Sequence, residues 1–183
     1  LTTGGVGSTQ QITLNNGRLT STGGAITGNG SNGLIQIDNV AGSALTLNSG
    51  TLSLTDVNIT NAQTLLMGNG STLMLANDGT LTNSASGTIS LTGDVTIDQS
   101  GAGPFQLINS GTINKISGSG TSVIDVALNN SNAITHSAGT LDLQRGLVQT
   151  SGSLTTVAGS TLQTSSLQLS GGSITPNGAL NVT

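Results

Sequence analysis

The chain has 183 residues, of which seven are acidic and three basic, giving a formal net charge of −4, and it contains a single aromatic residue, Phe105. Charged residues are 5% of the total, against about 25% in an average soluble domain, which speaks against both a charge-rich disordered chain and a basic, nucleic-acid-binding surface. With no cysteine there is no disulfide framework and no thiolate metal site, and no apolar run reaches the length of a membrane-spanning helix.

Alternation of apolar and polar residues at period two predicts short strands with one buried face. In chain order they fall near Gln11–Leu14, Arg18–Thr22, Leu34–Asp38, Ala44–Leu47, Thr51–Leu54, Thr64–Met67, Thr72–Leu75, Thr80–Asn83, Thr88–Leu91 and Val95–Asp98. The series continues with Phe105–Ile108, Thr112–Ile116, Ser122–Val126, Ala133–His136, Thr140–Leu143, Leu147–Thr150, Ser153–Val157, Thr161–Thr164, Leu167–Leu169 and Ala179–Val182. Links of Gly, Ser, Asn and Asp separate them, as in Gly28-Asn29-Gly30-Ser31-Asn32-Gly33. No window carries helical spacing, and every acid is Asp, a turn residue, with Glu absent.

A three-residue phrase of glycine, hydroxyl residue and branched aliphatic recurs at Gly50-Thr51-Leu52, Gly79-Thr80-Leu81, Gly87-Thr88-Ile89, Gly111-Thr112-Ile113, Gly139-Thr140-Leu141, Gly152-Ser153-Leu154 and Gly172-Ser173-Ile174. Its glycine is expected to take the left-handed backbone of a tight turn. Three strands and three turns make a coil of about 20–25 residues, and hence about seven to nine coils. A sandwich of hairpins is the competing architecture. The missing aromatics, the Ser and Thr flanking the aliphatics, and Asn48, Asn69, Asn83, Asn109 and Asn130 at turns, where amides can stack between coils, favour the solenoid. The reading is all-β: a right-handed parallel β-helix in one domain over residues 1–183, cut from a longer repetitive protein. Uncapped ends would then meet further coils or associate end to end.

The succession Asn109-Ser110-Gly111-Thr112-Ile113-Asn114-Lys115, Gly120-Thr121-Ser122-Val123-Ile124-Asp125-Val126, Asn129-Asn130-Ser131-Asn132-Ala133-Ile134 and Ser137-Ala138-Gly139-Thr140-Leu141-Asp142-Leu143 resembles the β-solenoid repeats of large bacterial surface and secreted proteins. Filamentous-haemagglutinin-like adhesins and autotransporter passengers are of this kind. The resemblance spans residues 43–183. It implies a non-catalytic stalk outside the cell, with a host or neighbouring-cell surface or a polysaccharide as partner, self-association through the ends, no membrane insertion and no cofactor.

Carbohydrate-active β-helices use clustered acids, and Asp78, Asp94 and Asp98 are the first place to look, with Asp78 and Asp98 stacking onto one edge. No cation, base or sugar-stacking aromatic accompanies them, so turn and strand-end aspartates are the plainer reading. Calcium at Asp78 or Asp98 lacks a loop motif, since Gly4-Gly5-Val6-Gly7-Ser8 carries no acid. His136, the one imidazole, would need Asp125 or Asp142 in register for a nucleophilic triad, and is expected to face solvent. Arg18, Lys115 and Arg145 read as surface charges that guard sheet edges, and Phe105 as a core filler. No residue is assigned a catalytic or metal-binding role. Thr20/Thr22 and Thr80/Thr82 suggest an ice-binding threonine face, but the tripeptide lacks a constant spacing along the chain.

Overall fold

A computed structural model describes residues 11–28 and 33–183; the Gly4–Ser8 run and the centre of the Gly28–Gly33 link lie outside them. The described chain winds through eight coils of three strands each. The first coil holds β1 (Gln11–Leu14), β2 (Arg18–Ser21) and β3 (Gly24–Thr27), the second β4 (Gly33–Ile37), β5 (Ala44–Leu47) and β6 (Gly50–Thr55). The third holds β7 (Val57–Asn61), β8 (Thr64–Met67) and β9 (Ser71–Ala76), the fourth β10 (Thr80–Asn83), β11 (Thr88–Leu91) and β12 (Thr96–Ser100). The fifth holds β13 (Gln106–Asn109), β14 (Thr112–Lys115) and β15 (Thr121–Ile124), the sixth β16 (Ala127–Asn130), β17 (Ala133–His136) and β18 (Thr140–Leu143). The seventh holds β19 (Leu147–Gln149), β20 (Ser153–Thr156) and β21 (Thr161–Thr164), the eighth β22 (Leu167–Leu169), β23 (Ser173–Pro176) and β24 (Ala179–Val182).

Each strand pairs in parallel with its equivalents in the neighbouring coils, giving three eight-stranded sheets: the first from β1 to β22, the second from β2 to β23, the third from β3 to β24. All-parallel pairing rules out the sandwich, whose hairpins would run antiparallel. The sequence reading misses four strands, β3, β7, β16 and β23.

Register turns the period-two alternation into continuous columns. On the first sheet Ile12, Ile35, Ile59, Leu81, Leu107, Leu128, Leu147 and Leu167 stack in line. On the second, Leu45, Leu65, Ile89, Ile113, Ile134 and Leu154 do the same. On the third, Leu52, Leu73, Ile97, Ile124 and Leu143 follow suit. Apart from Ile12 and Leu167 in the end coils, which are partly buried, these side chains are almost wholly buried, each contributing about 1.5–3 kcal/mol by leaving water. A cross-section this narrow is filled by one aliphatic from each wall, which is why the chain can dispense with aromatics. Phe105, buried just before β13, is the core filler expected of it. In the last coil Leu169 and Val182 are more than half exposed.

The first-sheet column also measures the coils, at 23, 24, 22, 26, 21, 19 and 20 residues in turn. The surplus is taken up in the turns, so the strands keep register. The glycine phrase serves two ends. Gly50, Gly139, Gly152 and Gly172 do take positive φ, while Gly111 does not: a Cβ there would collide with the backbone carbonyls of Gly87 and Ser84 in the coil before.

Candidate functional site

The polar residues that carry chemistry sort into an inner set, sealed inside the coils, and an outer set, spread over the faces. The inner set begins at the end of each first-sheet strand. There the inward position is Leu14, then Ile37, then Asn61, Asn83, Asn109, Asn130 and Gln149. All five amides are fully buried. Asn61 Nδ2 donates to Asn83 Oδ1 at 2.7 Å, Asn83 to Asn109 at 2.7 Å, Asn109 to Asn130 at 2.6 Å, and Asn130 to Gln149 Oε1 at 2.8 Å. The remaining amide hydrogens meet carbonyls of the turn toward the second sheet, among them Gly87, Gly111 and Asn132. The expected amide stacking is therefore present for Asn83, Asn109 and Asn130, on strands instead of at turns. Asn48 and Asn69 lie outside it, Asn69 accepting from the Asp94 amide.

A second polar column runs down the inner face of the second sheet. Leu47, Met67 and Leu91 stack in line and are followed by Lys115, His136 and Thr156. Lys115 and His136 are fully buried, which corrects the expectation that both lie at the surface. The Lys115 ammonium donates to Gly93 O (3.3 Å), Ser117 O (3.1 Å) and Asp94 Oδ1 (3.3 Å), and so its three hydrogens are all matched. Asp94 is further held by the Gly120 amide at 3.0 Å. His136 places Nε2 at 2.9 Å from Ala138 O, while its Nδ1 has no partner. Burial, foremost, and the nearby Lys115 charge hold its pKa below the usual 6.5, against a weaker upward pull from the Ala138 and Gly139 backbone.

The outer set does not assemble the groups that carbohydrate chemistry needs. Asp98 lines up with Met74, not Asp78, and its carboxylate accepts from the Gln99 amide at 2.8 Å. Asp78 sits at φ 65° in the turn after β9, with Gly103 of the next coil packed over it. Asp94 is committed to Lys115. Asp125 accepts from Arg145 Nε at 2.7 Å, and that hydrogen bond, with the charges of Asp125 and Asp98, raises the guanidinium pKa. Asp142 accepts from Gln144 at 3.2 Å. Neither Asp125 nor Asp142 meets His136, and among the described residues no three of His, Cys, Asp and Glu converge on a metal-sized site.

The second sheet has the most uniform outer face. One outward column reads Thr64, Thr88, Thr112, Ala133, Ser153, Ser173, and the neighbouring one Leu66, Ser90, Asn114, Thr135, Thr155, Thr175. No charged residue interrupts either run, and Arg18 stands at the foot of the first column, two coils before Thr64. Among the described residues, no side-chain hydrogen bond within the protein engages the hydroxyls of Thr64, Thr88, Thr112, Thr135 or Thr155. The irregular spacing of Thr along the chain thus becomes two in-register columns rich in Thr and Ser, interrupted by Ala133, Leu66 and Asn114, once the turns absorb the length differences. The glycine phrase does not single out this face, since it opens strands on all three sheets, at Gly79 on the first, Gly87 and Gly111 on the second and Gly50 and Gly139 on the third. The chain matches no protein-family model, no curated protein and no solved structure.

Proposed function

We propose that the chain is a length of rod: a non-catalytic stalk segment of a bacterial cell-surface or secreted adhesin. The observation that carries this reading is the unbroken stack of eight coils, with aliphatic columns on three sides and a closed amide ladder at one corner. Every coil is held to the next by backbone hydrogen bonds along the axis, and at about 4.8 Å per coil the stack is roughly 34 Å tall. Such a shape transmits distance and load, and it offers polar flanks to a host or neighbouring-cell surface. Pulling on the two ends of the chain in a single-molecule instrument tests the mechanical part. A stalk should resist and then yield in steps of one coil, roughly 65–90 Å of contour for 19–26 residues. Featureless extension at low force would overturn it. Saturable binding or cleavage of a polysaccharide that is lost in Asp98→Ala would move the reading to a carbohydrate-active β-helix.

The hydroxyl-rich columns of the second sheet favour a second reading, an ice-binding face. Two adjacent columns made mostly of Thr and Ser, with Ala133, Leu66 and Asn114 among them, form an uncharged array at the strand spacing able to order water across its surface. The check is inhibition of ice recrystallisation, with Thr112→Tyr and Thr135→Tyr, which break the array, as controls. Activity that survives both variants would place it elsewhere.

A further inference from the structure

We propose that His136 is an acid trigger built into the sixth of the eight coils, which loosens the coils around β17 when its imidazole takes up a proton. The arrangement is set for the neutral ring. Nε2–H donates to Ala138 O, leaving Nδ1 as an acceptor with no partner in a fully buried position. Protonation would put a hydrogen on Nδ1 with nothing to receive it. It would also add a charge in direct register with the Lys115 ammonium on β14. On the other side, β20 offers neutral Thr156, whose hydroxyl already accepts from Gly178 N. Facing walls of the same coil contribute Leu128, Asn130, Leu141 and Leu143, all uncharged. Asp94 is held by Lys115 and the Gly120 amide, Asp125 by Arg145, and Asp142 by Gln144. Among the described residues no carboxylate is hydrogen-bonded to the imidazole.

The direction follows from linkage. The folded ring binds its proton less readily than an unfolded one, so the stabilisation is complete above about pH 6.5 and drains away as the pH falls below it. With one proton involved, opening of these coils grows up to about tenfold per pH unit until the folded pKa is reached.

His136 is the chain's only histidine, so its ring signal in a carbon–proton correlation spectrum needs no assignment. The titration is expected below pH 6.5, and a midpoint at or above 6.5 would overturn the proposal. Hydrogen exchange at pH 7.5 and pH 5, corrected for intrinsic rates, should show faster opening of β14, β17 and β20 in acid while β7 and β10 hold. Uniform change along the rod would count against it. His136→Met, a side chain that the same column already accommodates at Met67, should abolish the acid response. A response that persists in this variant refutes the trigger, and if the variant fails to fold the wild-type titration still decides.

Discussion

Asn109 stands at the centre of the amide ladder, and replacing it with leucine separates the worth of its hydrogen bonds from that of its volume. In the native coil its Oδ1 accepts from Asn83 and its Nδ2 donates to Asn130 and to Gly111 O. Asn109→Leu removes two ladder bonds, each worth about 1 kcal/mol net, and strands the buried Asn130 Oδ1, at about 1–3 kcal/mol for an unmet buried polar group. Asn83 Nδ2 keeps Gly87 O and Thr112 O and is not orphaned. The expected loss is about 3–5 kcal/mol. A solenoid need not unfold in one step, so the assay is native-state hydrogen exchange read at β10, β13 and β16. Asn61→Leu at the ladder's first rung is the comparison: it breaks one ladder bond, sits beside apolar Ile37, and should cost less. Equal costs at the two positions, or a cost below about 1 kcal/mol at Asn109, would refute the view that the ladder acts as a connected chain.

Truncating Leu107, fully buried between Leu81 and Leu128, should cost about 2–5 kcal/mol, with exchange accelerating most in β10, β13 and β16. Gly111→Ala should destabilise more than Gly70→Ala in thermal melts. The first forces a methyl into the carbonyls of the preceding coil, whereas the second meets open space and only the strain of φ 73°. Lys115→Met should be neutral or stabilising by about 1–3 kcal/mol, because Asp94 can turn to water while methionine continues the apolar column. Asp94→Ala, which leaves the ammonium buried without its anion, should cost about 3–5 kcal/mol. A more stable Asp94→Ala than Lys115→Met would reverse that argument.

Most of the architecture was legible because period-two alternation survives in nearly every strand, and the coil length followed from counting three strands per turn of the rod. The missed strands show where the signal fails. Val57-Asn58-Ile59-Thr60-Asn61 and Ala127-Leu128-Asn129-Asn130 are strands whose last inward residue is Asn. Read singly, asparagine means a turn; only a matching amide one coil away makes it a core residue, and that match depends on register. His136 and Lys115 carried a usable clue. Each follows a buried aliphatic by two residues, Ile134 and Ile113, so alternation pointed both inward. The general rarity of buried charge outweighed the local pattern, and here the local pattern was right. The Asp78–Asp98 stack failed for a different reason: the offset between those coils is 24 residues, as the Met74–Asp98 pairing shows, so a 20-residue count matches a residue of the turn after β9 to one inside β12.

The separation of register from coil length has a consequence for engineering. The 26-residue coil between Leu81 and Leu107 carries its extra residues in a fully exposed turn, Gly101-Ala102-Gly103-Pro104, without disturbing the columns on either side. A foreign peptide grafted into that turn would be displayed at a fixed height on a rigid post, and equivalent grafts in successive coils would stand one strand spacing apart, about 4.8 Å. The molecule is in this sense a graduated scaffold, on which the vertical position of a passenger sequence is chosen by coil and its size is left free.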